Sequence, residues 1–187
     1  SMNPSVKEIV AAFENLPTDK IIILPNNKNI ILAAQNAAKV SVKQIAVIPT
    51  RNAPQGFAAM LRLLPEGTLA ENEESMKEAI TEVHTGEITT ATRDVTIEDV
   101  HVEKNSVIAL LDGKLIISTH SIDEALFQLL SAAKVEEFER ITLFYGEDLT
   151  LPRVNQMVDR IREKYPQHEV EVHDGGQPYY QLIVAIE

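Results

Sequence analysis

The chain predicts two lobes, an α/β lobe over residues 1–84 built around a small parallel βαβ unit, and an α+β lobe over 85–187. The second lobe has a mostly antiparallel sheet with two helices on one face. Three observations carry this expectation. Two strand-loop-helix units follow each other between Ile21 and Leu64, a pattern that favours parallel strands joined by right-handed crossovers. After Thr85-Gly86 the pattern changes to short alternating segments rich in threonine. Asp112-Gly113 stands between two apolar runs, a strong signal for a tight hairpin turn.

In the first lobe, Val6, Ile9, Val10 and Phe13 recur at helical spacing behind Asn3-Pro4-Ser5, and Pro17 closes the segment. Ile21–Leu24 is a continuous β-branched run of the kind that lies buried in a parallel sheet. The turn Asn26-Asn27-Lys28-Asn29 leads into a helical stripe of Ile30, Ile31, Ala34, Ala37 and Ala38. The second unit is strand 44–48, loop 49–54 and helix 55–64, and an acidic helix follows over 69–83 with Met76, Ala79, Ile80 and Val83 as its apolar stripe.

In the second lobe, 87–95 reads as one strand, and 107–111 with 115–118 as the arms of the hairpin. Ser121 and Glu124 form a capping-box pattern opening a helix that runs to about Lys134. A strand over 141–145, a helix over 151–165, a strand over 168–173, a Gly175-Gly176 turn and a closing strand over 181–186 complete about six strands.

Composition narrows the function. The 187 residues are 44% hydrophobic and 24% charged, enough apolar material for a real core. With 17 Lys plus Arg against 28 Asp plus Glu, the formal charge is −11. Such a chain repels nucleic-acid phosphates and anionic lipid. Cysteine is absent, so neither disulfides nor thiolate metal sites arise, and a reducing cytoplasmic setting is expected. No apolar run approaches the roughly 18 residues of a membrane span. Ser1-Met2 lacks the character of a secretion signal and reads as a protease-cleavage remnant, so the sequence is expected to be a piece of a longer chain.

Loops after strands of open α/β sheets are where ligands usually bind. The two such loops here, 25–29 and 49–56, offer Asn26, Asn27, Lys28, Arg51 and Gln55 as candidates for holding an anion at a helix N-terminus. The competing assignment gives the asparagines turn and capping roles and leaves the cations in water. Glu147-Asp148 offers the one acidic pair suited to Mg²⁺ or acid-base work, with capping of the next helix as the alternative. The five histidines show no zinc spacing, and no nucleophile elbow is present. Gln177, Tyr179 and Tyr180 follow Gly175-Gly176, where two tyrosines beside a turn suit an interface, one ring lying outward.

Six phrases occur in order: Leu24-Pro25-Asn26-Asn27-Lys28-Asn29, Ile48-Pro49-Thr50, Pro54-Gln55-Gly56, Thr85-Gly86-Glu87-Ile88-Thr89, Tyr145-Gly146-Glu147-Asp148 and Gly175-Gly176-Gln177-Pro178. Together they resemble the carboxy-terminal domain of the catalytic component of bacterial fatty acid kinase, of the dihydroxyacetone kinase-like family, across nearly the whole chain. The resemblance implies a DegV-like fold and a non-catalytic domain that docks a fatty acid-binding protein of the DegV family, with homodimerisation as a further expectation. It places ATP and Mg²⁺ on an amino-terminal domain outside this sequence, so no cofactor and no kinase activity are expected for these residues alone. DegV-type lipid binders hold the fatty acid carboxylate with hydroxyl-rich turns, and Asn26–Asn29 takes that place here. The alternative function is a DegV-like domain that itself binds a lipid or another carboxylate, and a third is an independent phosphotransferase resting on Glu147-Asp148.

Overall fold

The structure, a computed structural model, describes residues 3–97 and 100–187. Ser1 and Met2, on which the cleavage reading rests, lie outside the described residues, as do Glu98 and Asp99. The chain divides into two compact units, Ser1–Val83 and His84–Glu187.

The first unit contains α1 (Val6–Glu14), β1 (Lys20–Ile23), α2 (Ile31–Val40), β2 (Gln44–Val47), α3 (Ala53–Leu61) and α4 (Leu69–Glu82). Strands β1 and β2 pair in parallel, Ile21 opposite Ile45 and Ile23 opposite Val47. Alternation along the strands sends neighbouring side chains to opposite faces. Ile21, Ile23, Ile45 and Val47 join Ile9 and Phe13 of α1 and Ala34 and Ala37 of α2 in one cluster. Ile22 and Leu24 join Ile48, Ala59 of α3, and Met76 and Ile80 of α4 in another. The short sheet therefore has helices on both faces, which explains why each strand is continuously apolar after its first residue.

Helix starts follow side-chain chemistry. Ser5 opens α1 and Thr68 opens α4 with complete capping boxes through Glu8 and Glu71. Hydrogen bonds from the Ser5 and Thr68 backbone N–H groups hold both carboxyls below their usual range. The third helix begins two residues before the expected 55, because Asn52 caps it and Pro54 fits its first turn.

The second unit holds β3 (His84–Thr90), β4 (Val95–Ile97), β5 (Val100–Val102), β6 (Val107–Leu111), β7 (Lys114–Thr119), α5 (Ile122–Ala132), a 3-10 turn (Val135–Glu137), β8 (Arg140–Tyr145), α6 (Leu151–Lys164), β9 (Glu169–Asp174) and β10 (Tyr180–Ile186). Six strands form one sheet in the order β7-β6-β3-β10-β8-β9. All neighbours run antiparallel except β8 and β9, which α6 joins as a parallel unit. Both helices pack on one face: Leu126, Leu129 and Leu130 of α5 and Val154, Met157 and Ile161 of α6 meet Ile88, Ala109, Ile141, Leu143, Leu182 and Val184. Asp112 and Gly113 both take positive φ, 50° and 82°, the geometry of a tight primed turn.

Three further expectations change. The single strand over 87–95 is two, because the chain leaves the main sheet after Thr90. Its continuation β4 pairs instead with β5, a strand not foreseen, and this small hairpin packs through Val95 and Val102 on Ile108. The capping box at Ser121 is half formed: Ser121 accepts from the Glu124 N–H, but the Glu124 carboxylate bonds the Thr119 hydroxyl instead of returning to the cap. The expected strand over 168–173 begins one residue later, since the His168 ring turns to the Val135 carbonyl at 2.8 Å.

Gly86 lies in β3 directly beneath α5, where an added Cβ would fall 2.1 Å from Leu129 Cδ2. Gly86→Ala should destabilise the fold by about 1–3 kcal/mol through overpacking. Combined with Leu129→Ala, the total loss in urea unfolding should be smaller than the sum of the single losses.

Candidate functional site

The two strand-end loops of the first unit are tied together by their own polar groups. Thr50 is fully buried, and its hydroxyl accepts the Asn26 N–H at 2.9 Å. Asn26 takes positive φ of 53°, which asparagine tolerates better than most residues. Its amide covers Gly56, where an added Cβ would lie 2.3 Å from Asn26 Oδ1. Asn27 Oδ1 accepts the Asn29 N–H at 2.9 Å and so closes the turn into α2.

Gln55 is occupied on both ends of its amide. Its Oε1 accepts the Arg51 N–H at 2.8 Å, and its Nε2 donates to the Ile80 carbonyl at 3.3 Å, pinning the loop to α4. The side chains of Lys28 and Arg51 are exposed and form no ion pair among the described residues. The five candidates of these loops thus sort into three that bond or cover backbone, Asn26, Asn27 and Gln55, and two exposed cations.

The remaining candidates, Glu147, Gln177, Tyr179 and Tyr180, meet where β8 ends and β10 begins. Gln177 Nε2 donates to the carbonyls of Phe144 at 3.0 Å and Tyr180 at 3.3 Å, and the Gln177 carbonyl accepts the Glu147 N–H at 3.2 Å. Gly146 is required here, since an added Cβ would stand 2.2 Å from the Tyr180 carbonyl oxygen. The Gly175 and Gly176 N–H groups both reach the Tyr145 carbonyl, at 3.0 and 3.2 Å.

Tyr179 takes positive φ of 72° and is 70% exposed, and its carbonyl accepts the Thr89 hydroxyl at 2.5 Å. Tyr180 is the inner ring of the pair. Burial, aided by the Glu87 carboxylate, raises its phenol above the ordinary range. Burial, then the Asp174 carboxylate, does the same for Tyr145. The acids Glu147 and Asp148 lie exposed ahead of α6, and Thr150 at its cap makes no side-chain cap bond. Among the described residues no three His, Asp or Glu side chains gather as metal ligands.

An open groove of about 900 Å³ lies between α5 and α6, a feature that spacing alone did not reveal. Asp123 bonds Arg153 and, at 2.6 Å, Arg160, while Arg160 and Lys164 approach the Phe127 ring to 4.9 and 5.4 Å. These contacts join the two helices across a cleft lined largely by charged side chains.

The amide of Gln177 supports two backbone carbonyls, so Gln177→Ala should cost about 1–3 kcal/mol in denaturant unfolding. Tyr179→Ala, at an exposed ring, should change stability by no more than about 0.5 kcal/mol.

Comparison with known proteins gives the family. Residues 1–187 match the FakA-like C-terminal family of fatty acid kinases. An uncharacterised protein of Staphylococcus epidermidis is 39% identical over 187 residues, covering 100% of this chain and 34% of the relative. An uncharacterised Staphylococcus aureus protein is 36% identical with the same coverage. The chain therefore spans about a third of the length of these relatives.

Among solved structures, the Streptococcus pneumoniae fatty acid kinase B3 protein loaded with linoleic acid superposes with a TM-score of 0.71 at 15% identity, over 98% of this chain and 76% of that one. A Thermotoga maritima protein described as having a fatty acid binding function gives 0.71 at 14% identity, over 99% and 76%. A DegV-family protein of Eubacterium eligens loaded with heptadecanoic acid gives 0.70 at 12% identity, over 99% and 78%. At these identities the likeness establishes the two-part DegV-like fold. No helix among the described residues is long and apolar enough to cross a membrane. The chain belongs to the FakA-like family of fatty acid kinase C-terminal domains.

Proposed function

We propose that the chain is a non-catalytic docking domain. It binds a fatty acid-binding protein of the DegV family, so that a nucleotide-binding domain elsewhere in a longer cytoplasmic protein phosphorylates the acyl carboxylate. The observation that carries this reading is the coincidence of family membership with strand-end loops in which Thr50, Asn27, Gln55 and Gln177 are engaged with backbone groups. A carboxylate arriving at loop 25–29 would meet a turn in which Thr50 accepts one N–H and Asn27 another. Catalysis of phosphoryl transfer needs positioned cations and metal at the reacting group. The ATP and Mg²⁺ for that step belong, on this reading, to the other domain.

A second reading, that the chain itself holds a fatty acid, draws on the shared fold of neighbours whose descriptions name linoleic and heptadecanoic acid. At 12–15% identity those neighbours support this reading through the fold alone, and the resemblance puts the asparagine-rich turn 26–29 where lipid binders carry hydroxyls.

Calorimetric titration of this chain with the DegV-family fatty acid-binding protein of the same genome should give saturable binding with Kd at or below the order of tens of micromolar. No heat and no complex at that concentration would contradict docking.

A further inference from the structure

Helix α3 is packed with its small residues inward and its large ones outward. Its buried residues are Pro54, Gly56, Ala58 and Ala59. Phe57 is 57% exposed, Met60 52% and Leu61 74%, and Leu63 and Leu64 follow at 40% and 45%. Positions i, i+3 and i+4 share one side of a helix, so Phe57, Met60 and Leu61 form a ridge. The inward set has a local reason: Gly56 lies under the Asn26 amide, and Ala59 meets Ile48, Met76 and Ile80. That close approach explains the small side chains. It gives no reason for Met60 and Leu61 to stand outward, and concentrated exposed apolar surface of this kind marks an interaction site.

The charge beside the ridge says what kind of surface fits it. From Ala53 to Glu82 the chain holds six glutamates and two cations. Both cations are already paired, Arg62 with Glu82 and Lys77 with Glu73 at 2.5 Å. Helix α4 is fastened to the end of the ridge: Ser75 Oγ donates to the Arg62 carbonyl at 3.1 Å, and the Asn72 amide bonds both the N–H and the carbonyl of Leu64. Glu71 and Glu78 stand four before and three after Ser75 and so share its row, and Glu74 is exposed beside them. An apolar ridge with an acidic border repels a second copy of itself and an anionic bilayer.

We infer that this ridge, with the acidic side of α4, is the docking face for a partner protein presenting an apolar groove edged by lysine and arginine. The inference rests on the docking reading above and gives it a surface. Apolar contact supplies the hold, and the acidic border steers the approach and sets orientation.

The test uses this chain and the DegV-family fatty acid-binding protein of the same genome. The double variant Met60→Ser with Leu61→Ser should keep its unfolding midpoint, because both side chains are exposed, and should bind at least about thirtyfold more weakly. The double variant Glu74→Gln with Glu78→Gln should bind more weakly at low salt and lose part of the wild-type salt dependence. Wild-type affinity in the serine variant would overturn the proposed face while leaving docking intact. Absence of wild-type binding would overturn both. Affinity indifferent to salt and to the glutamine variant would overturn the basic-edged partner. Sedimentation showing a dimer that the serine variant abolishes, or ridge-dependent binding to phosphatidylglycerol vesicles, would give the face to a different occupant and overturn the inference.

Discussion

The second unit is organised by its last strand. β10 lies in the middle of the six-stranded sheet, between β3 and β8. Leu182, Val184 and Ile186 are fully buried, and all three belong to the core on which α5 and α6 pack. Burying three such side chains contributes on the order of 1.5–3 kcal/mol each, before the entropy of ordering the chain. A central strand made last in sequence also fixes what comes earlier. β3 must wait for β10 to be paired on both edges, and β8 carries α6 and β9 with it. The loop of Gln177–Tyr180 leads straight into this strand, which is why its amide and carbonyls bond to backbone around Gly146.

A similar economy of space governs the first unit. Its two-stranded sheet is covered on both faces, and close packing places alanine on the inner sides of α2 and α3, with Gly56 under the Asn26 amide. The large apolar residues of α3 consequently face outward. The same close approach brings loops 25–29 and 49–56 together, where Thr50, Asn27 and Gln55 bond backbone groups and the Asn26 amide covers Gly56. A fold shared with fatty acid-binding proteins therefore coexists here with loops in which Thr50, Asn27 and Gln55 bond the chain's own backbone while Lys28 and Arg51 stay exposed. On the docking reading proposed above, recognition falls to an outer surface and not to a site within.

Much of this architecture is visible in the amino-acid pattern, and the reasons are local. Ile21–Leu24 and Ile45–Ile48 are continuous apolar runs because both sheet faces are covered. Asp112-Gly113 announces its turn because both residues must take positive φ. What escapes the pattern depends on distant partners. Val95 and Val102 look like the end of one strand and part of a loop until their packing on Ile108 is seen. Glu124 fits a capping box, yet the Thr119 hydroxyl takes its carboxylate. Gln55 and Gln177 are sensible ligand-binding candidates by type and place, but their amides bond to Ile80, Phe144 and Tyr180, residues that sequence spacing does not bring near. The outward ridge of α3 is hidden for the same reason, since periodicity gives an apolar face without saying which face the core will take.

The central proposal is that a fold shared with fatty acid-binding proteins serves this chain as a docking surface and does not itself hold an acyl carboxylate. Native mass spectrometry of the chain, purified from cells and again after incubation with oleate, addresses it directly. The account predicts the bare mass of the polypeptide in both samples. A stoichiometric fatty acid adduct that survives desalting would contradict it.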